Sequence, residues 1–264
     1  MSLIHPIHFD LISIFPEFFQ GPLEYGIVRQ AIKKKLISIK IHNLREYSLD
    51  SHQMVDDRPF GGEEGMVLKP EPIFRAVNHI IGTDRSQKTK IILLSPQGKR
   101  LGQKLVVELA DSHHFIFICG RYEGVDERVA ENLATDEISI GDYILSGGEL
   151  PACVLIDCLV RTVPGVLNNY KSVTNESFSN FRSESRVPTN NLNYSLLDHP
   201  QYTRPAIFNG MKVPSVLLSG NHHKIRCWRR KKALEKTLRN RPDLLEYDGL
   251  PENDKLILTE PCNS

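Results

Sequence analysis

Ile138-Ser-Ile-Gly-Asp-Tyr-Ile-Leu-Ser-Gly-Gly-Glu-Leu150 is a short apolar stretch that glycine interrupts twice. The pattern predicts a strand that breaks at Gly141-Asp142, resumes over 143–145 and breaks again at Gly147-Gly148. Glycines let backbone N–H and C=O groups approach a ligand without an intervening Cβ, and the apolar residues between them suit the face of a flat ring. A tight connection between strand and helix, with no ligand, is the simpler explanation of this stretch taken alone.

Apolar strands and amphipathic helices alternate through the sequence that precedes this stretch. Strands are predicted at 8–15, 37–41, 90–95 and 114–119, and helices at 73–81, 105–109 and 125–133. Because most of these strands are apolar on both faces, the sequence predicts an α/β fold with a parallel sheet and helices on both sides.

Three of the predicted strands run into loops that carry glycine or proline. The loops are Ser95-Pro-Gln-Gly98, Cys119-Gly-Arg-Tyr-Glu-Gly124 and 140–148. Since ligands bind parallel sheets beyond the carboxyl ends of the strands, three such loops together favour a ligand site over simple turns. None of them is a dinucleotide or phosphate-loop fingerprint, so a cofactor with a pyrophosphate is not indicated.

Composition indicates a globular protein and gives no sign of a membrane span or a secretion signal. The 264 residues allow one large domain or two ordinary ones, and no apolar run approaches the ~20 residues of a spanning helix, so we expect a cytoplasmic protein. The five cysteines are scattered without a CxxC pair. We therefore expect reduced thiols and neither a disulfide framework nor a metal site.

The net charge of +1 hides a basic helix near the carboxyl end. Residues 224–241 carry nine Lys or Arg and one Glu, a local charge of +8, so the remainder carries −7. Ile225, Trp228, Leu234 and Leu238 are spaced to pack while the cations face outward. A solvated charged face is the ordinary explanation, but the concentration of charge favours RNA phosphate as the partner, with Arg226, Arg229, Arg230 and Lys231 as the predicted contacts.

Seven motifs stand in the order found in a known enzyme family. They are Asp56-Asp-Arg-Pro59, Ser95-Pro-Gln-Gly98, Cys119-Gly-Arg-Tyr-Glu-Gly124, Ile140-Gly-Asp-Tyr-Ile-Leu-Ser-Gly-Gly-Glu-Leu-Pro151, Pro164-Gly-Val-Leu167, Gln201-Tyr-Thr-Arg-Pro205 and Val216-Leu-Leu-Ser-Gly-Asn-His222. With these motifs, which span nearly the whole chain, the sequence resembles the bacterial tRNA (guanine-N1)-methyltransferases of the SPOUT superfamily.

The resemblance implies a parallel α/β domain whose carboxyl-terminal part forms a deep trefoil knot, followed by a small helical domain. The expected divisions are a cofactor domain at 1–167, a flexible linker at 168–196 and a tRNA-binding domain at 197–264. The resemblance further implies a homodimer whose active site is shared between subunits. It uses S-adenosylmethionine to methylate N1 of the guanosine just 3′ of the anticodon, position 37. Whether a magnesium ion assists stays open.

The resemblance also assigns residues to the site. The expected cofactor contacts are Ser95, Pro96, Gly120, Arg121, Tyr122, Glu123, Ile140, Gly141, Asp142, Tyr143, Ile144, Leu145, Gly147 and Gly148. Glu123 has a second explanation as the cap of the following helix. The family's catalytic aspartate corresponds to Glu176, the expected base at guanine N1. The family's arginine corresponds to Arg161, which would offset charge developing on O6 or N1.

Three departures from the family pattern leave alternatives open. Glu176 is one methylene longer than the family's aspartate, Glu63 interrupts a run of glycines, and 179–196 is a longer, polar linker whose composition predicts ordering only on RNA. The alternatives are a SPOUT enzyme that acts on another RNA position and a catalytically silent RNA-binding dimer.

Overall fold

A computed structural model describes residues 6–82, 89–167, 176–178, 195–245 and 250–259. The chain divides into two compact units, Met1–Asn168 and Asn169–Ser264. Most of the expected linker, 168–175 and 179–194, lies outside the described residues. Within the part of the chain that is described, no helix is long and apolar enough to cross a membrane.

The first unit is built on a five-stranded parallel sheet, which confirms the predicted α/β class. The strands along the chain are β1 Ile7–Ser13, β2 Ile37–Asn43, the short β3 Asp56–Asp57 and β4 Val67–Leu68, then β5 Thr89–Arg100, β6 His114–Cys119 and β7 Asp136–Ser139. The sheet has the order β2-β1-β6-β5-β7, and every neighbouring pair is parallel. The pair β3 and β4 is antiparallel and stands apart.

Helices cover both faces of the sheet because its strands are apolar on both faces. The helices are α1 Gly26–Lys33, α2 Pro70–Ile81, α3 Gln103–Leu109, α4 Glu127–Asn132 and α5 Glu149–Val160, with 3-10 turns at Pro16–Phe19 and Leu44–Tyr47. One core contains residues of α1, α3 and α5, and stacked Phe9, Phe115 and Phe117 lie at its centre. The other core contains residues of α2 and α4.

Two predicted strand boundaries in this unit are wrong. The strand expected to end at Ser95 continues through the turn to Arg100, because Leu94 and Lys99 both pair with Ile138 around a bulge. No strand resumes at 143–145. The Ser139 hydroxyl accepts a hydrogen bond from the Gly141 N–H at 3.2 Å, and this local bond turns the chain out of the sheet.

In the described part of the second unit, helices are the main elements. It contains a β-hairpin of β8 Ile207–Phe208 and β9 Met211–Lys212, the helices α6 Ser215–Leu218, α7 His222–Asn240 and α8 Glu252–Thr259, and a 3-10 turn at Pro242–Leu244. Its core comprises Leu196, Ala233, Leu234 and Leu250. The expected packing of Leu238 is wrong: it is 47% exposed, and buried Thr237 takes the core position one residue earlier.

The cysteines only partly follow the expectation of reduced thiols. Cys119, Cys153 and Cys158 are free, and burial raises the pKa of the Cys153 thiol to about 11. The expectation is wrong for Cys227, which is disulfide-bonded. Cys262 lies outside the described residues.

A partly buried carboxylate crosslinks three strands of the sheet. Asp10 of β1 contacts Nε2 of His42 at 2.6 Å and Nε2 of His114 at 2.8 Å. Burial by itself raises the pKa of Asp10, but the hydrogen bonds from the two imidazoles outweigh it and lower the pKa to about 2. Folding therefore favours the ionised form of this carboxyl group.

We predict that Asp10 contributes to the acid stability of the first unit. A pKa lowered from 3.8 to about 2 corresponds to about 2 kcal/mol. This stability is present above the unfolded-state pKa and is lost as the pH falls through the folded-state value, between about 4 and 2. The loss in free energy of unfolding caused by Asp10→Asn, measured by urea unfolding, should therefore be smaller at pH 3 than at pH 7. Exposed Asp111→Asn is the matched control, and a deficit for Asp10→Asn that does not change with pH contradicts the prediction.

Candidate functional site

The three glycine-bearing loops meet at the carboxyl edge of the sheet. The Gly148 N–H donates to the Gly120 carbonyl at 2.9 Å, and Arg121 forms an isolated antiparallel bridge with Gly147. The loop after β6 is thereby tied to the end of the loop after β7. The end of β5 lies against β7, and the Leu101 N–H donates to the Ser139 carbonyl at 2.7 Å.

Two of these contacts require glycine because backbone meets backbone. A Cβ on Gly98 would lie 2.4 Å from the Glu137 carbonyl carbon, and a Cβ on Gly148 would lie 2.7 Å from the Cys119 Cα. Neither distance leaves room for a methyl group, and no flexible side chain is there to move aside. The sequence of both loops is therefore set by the close approach of chain segments.

A buried ion pair clamps the same loops together. Arg121 contacts the Glu149 carboxylate through Nε and Nη2, both at 2.9 Å, and its guanidinium lies 4.7 Å from the centre of the Phe15 ring. The Glu149 side chain is 1% exposed and also accepts a hydrogen bond from the Ser13 hydroxyl at 2.6 Å. The guanidinium of Arg121 is thus bound to protein groups.

The loop after β6 is also held by the glycine loop at 61–66. The Glu123 N–H donates to the Met66 carbonyl at 3.0 Å, and a Cβ on Gly65 would lie 2.6 Å from the Glu123 Cγ. Tyr122 adopts a φ of 60°, in the left-handed region, and its side chain is half-exposed. The explanation of Glu123 as a helix cap is wrong, because the Asp126 side chain caps α4.

Apolar side chains stay exposed beside these backbone contacts. Tyr143, Ile144 and Leu145 are 54%, 80% and 37% exposed. The Asp142 carboxylate lies 3.6 Å from the Arg100 guanidinium. The Ser95 hydroxyl accepts a hydrogen bond from the Gln97 N–H at 3.1 Å. Exposed apolar side chains next to glycine-rich backbone are suited to a ligand with a flat ring and polar edges.

The two expected catalytic residues belong to different units. Arg161 is the C-cap of α5 in the first unit and is half-buried. Glu176 lies in the second unit, next to Ser177, whose hydroxyl accepts from the Asp198 N–H at 2.9 Å. The Phe178 N–H donates to the Leu196 carbonyl at 2.9 Å. These bonds fix the short segment that carries Glu176 to the second unit.

The expected RNA contacts on α7 do not share one environment. Arg226 and Arg229 are exposed, whereas Lys231 is half-buried. Arg230 contacts Asp254 of α8 at 2.9 and 2.6 Å, so it supports the helical packing. Sequence reasoning missed Lys236 and Arg239, which lie near Trp228. Their spacing of eight and eleven residues from the tryptophan was the available signal.

In the described ranges, no group of three or more His, Cys, Asp or Glu is arranged to hold a metal ion.

Comparison with known proteins gives consistent matches over most of the chain. A family model described as tRNA (Guanine-1)-methyltransferase TrmD matches residues 7–247. This chain is similar to proteins of several bacteria that are named tRNA (guanine-N(1)-)-methyltransferase. That of Dictyoglomus turgidum is 49% identical over 254 residues, which cover 96% of this chain and 96% of the relative. That of Koribacter versatilis is 50% identical over 255 residues, with 95% and 97% coverage. That of Anoxybacillus flavithermus is 51% identical over 247 residues, with 93% and 94% coverage.

We predict that Gly98→Ala is strongly destabilising although alanine is a better residue for most backbone conformations. The added methyl group must displace the backbone of β7, so we expect a loss of about 3 kcal/mol or more in the free energy of unfolding. Gly102→Ala is the matched control, because a Cβ at Gly102 meets nothing within 4 Å. Equal unfolding midpoints for the two variants would show that the close contact is not a constraint.

We predict that Arg121→Leu costs about 3–5 kcal/mol because it leaves the Glu149 carboxylate buried without its cation. Replacing Glu149 by Gln in the same chain removes the buried charge and should recover part of the loss. Arg128→Leu is the control, since its ion pair with Asp126 is formed by a side chain that is 63% exposed. A loss for Arg121→Leu no greater than that of the control counts against the clamp.

Proposed function

The chain belongs to the tRNA (guanine-1)-methyltransferase family, and from this premise we propose that it methylates N1 of the guanosine immediately 3′ of the anticodon, position 37. The observation that carries the proposal is the carboxyl edge of the sheet. There Gly120, Gly147 and Gly148 join two loops, and Ile144 and Leu145 remain exposed beside them. The order of the seven motifs supports the same assignment.

We further propose that this part of the first unit forms the trefoil knot of the SPOUT superfamily. The support is the pair of close backbone contacts. The extension of β5 lies against β7 at Gly98, and Gly148 lies against Cys119 at the end of β6. These two close approaches of chain segments, together with the family membership, support the proposal of a knot.

We propose that S-adenosylmethionine binds at this edge of the first unit. Backbone groups of 120–123 and 140–145 would bind the polar edges of its adenosine, and Ile144 and Leu145 would cover the ring. When bound, this cofactor supplies a methyl group carried on a positively charged sulfur. The protein's own contribution is to orient the acceptor and to remove its proton.

Guanine presents a specific chemical difficulty, because its N1 carries a proton and becomes nucleophilic only when that proton leaves. Glu176 would accept the proton at N1 as the general base. As the proton leaves, negative charge spreads to O6, and Arg161 would offset it. The two groups therefore act on the same event from opposite ends of the N1–C6–O6 unit.

We also propose a homodimer in which each active site takes groups from both subunits. Helix α5 is apolar on nearly all sides, and its Leu150 and Val154 are 48% and 41% exposed. Exposed apolar side chains on an otherwise buried helix are typical of a subunit interface. Full activity in a monomer would contradict this arrangement.

We predict that Glu176→Gln lowers kcat by about 100-fold or more while S-adenosylmethionine binding, measured by calorimetry, stays unchanged. Glu176→Asp restores the family's residue and should retain activity. Exposed Glu131→Gln is the control for loss of one carboxylate. Wild-type activity in Glu176→Gln would leave the proposed base without a role.

The acceptor is tested with labelled cofactor and tRNA transcripts that contain or lack the guanosine 3′ of the anticodon. We expect label only when that guanosine is present. Label on ribosomal RNA would support a SPOUT enzyme for another position, and RNA binding without label on any RNA would support a silent binding dimer.

A further inference from the structure

Helix α7, the segment 199–206 and residues 213–218 line two adjacent open cavities of about 370 and 390 Å³ in the second unit. Tyr202 lines both of them, and its ring centre lies 6.2 Å from that of Trp228. Tyr202 is 50% exposed. Tyr202 thus packs near the tryptophan at a tilted angle and still leaves half of its surface exposed.

The rim of these cavities is strongly basic. The lining cations are Arg204 and Arg229 in the first cavity, and Lys232, Lys236 and Arg239 in the second. Glu235 is the only carboxylate among the lining residues, and it contacts Lys232 at 2.7 Å. Five cations against one paired carboxylate leave a charge of about +4 around an aromatic pair.

Helical spacing explains why these groups converge. Trp228, Lys232, Glu235 and Arg239 recur every three or four residues and therefore lie on one face of α7. Arg230 points to a different neighbour, Asp254 of α8. The helix thus separates a cation that supports its packing from cations that surround the cavities.

We infer that an unpaired base of the RNA substrate stacks on Tyr202 between the two cavities, with the adjoining phosphates against Arg229, Lys236 and Arg239. The inference rests on the proposed function, because it takes the substrate to be RNA. Aromatic rings accept the face of any base, and basic side chains around them bind the backbone on either side. The site would hold a base other than the one that is methylated, because its lining residues include neither Glu176 nor any residue of the loops proposed to bind the cofactor.

Trp228 is the only tryptophan in the chain and reports directly on this site. We expect its emission to be quenched in a saturable manner when a tRNA transcript is added to the full-length protein. Tyr202→Ala should weaken tRNA binding about tenfold, and Tyr202→Phe should bind as the wild type does, because the ring is kept. Phe208→Ala removes an aromatic side chain that is 59% exposed but lines neither cavity, and it serves as the control. Thermal midpoints of all three variants are compared with that of the wild type.

The phosphate contacts are tested by salt dependence. Lys236→Gln should reduce the slope of log affinity against log salt concentration by about one, since one phosphate contact is lost. Lys212→Gln on the β8–β9 hairpin is the matched control, because Lys212 is exposed and lines neither cavity. Equal slopes for the two variants would overturn the phosphate assignment.

Transcripts with a single abasic nucleotide at each anticodon-loop position identify the stacked base. At one position the abasic substitution should weaken tRNA binding by the wild type. The same substitution should not further weaken tRNA binding by Tyr202→Ala. Unchanged Trp228 emission at saturating tRNA, or tighter binding of polyglutamate than of tRNA, would overturn the site. Methyl transfer with unchanged emission defeats this inference alone. A different outcome would support the base site and defeat the proposed function. In it, tRNA quenches Trp228 emission and Tyr202→Ala weakens tRNA binding, but no RNA is methylated.

Discussion

The close approach of backbone to backbone at Gly98 and Gly148 is the constraint on which the rest of the first unit depends. At each glycine a chain segment passes another at a distance that no Cβ tolerates. These two contacts place the ends of β5, β6 and β7 side by side, so that loops far apart in sequence present their backbone groups at one edge. The positions of the loops at this edge are therefore set by contacts of the backbone, and side-chain contacts add to them.

The Arg121–Glu149 pair secures that path at an energetic cost. A carboxylate that is 1% exposed loses its hydration, and the attraction of one guanidinium rarely exceeds that loss. Hydrophobic residues of similar volume would pack the same space with less penalty. The pair instead supplies direction: Ser13, Arg121 and Ser146 are each bonded to a fixed partner, which sets the position of both loops. We regard this fixed geometry as the reason for burying charge here.

The class of fold was predictable from sequence, but the details at the sheet edge were not. Alternating apolar strands and helices are local patterns, and they were sufficient to predict a parallel sheet. The continuation of β5 to Arg100 depends on pairing with Ile138, a partner some forty residues away that leaves no local trace. The roles of Arg121 and Arg230 were missed for the same reason: each is set by a carboxylate, Glu149 or Asp254, that only the tertiary structure brings close.

The placement of Glu176 gives the division into two units a chemical meaning. The segment that carries it is bonded to Leu196 and Asp198 of the second unit, and Arg241 lies over the ring of Phe178 at 5.9 Å. The proposed base is therefore fixed to the unit with the basic helix, while the proposed cofactor site belongs to the other unit. In the proposed function, the general base and the basic side chains that would bind the RNA are thus parts of one unit. Such an arrangement would make removal of the N1 proton depend on correct binding of the RNA, which is a source of selectivity that a base mounted beside the cofactor would lack.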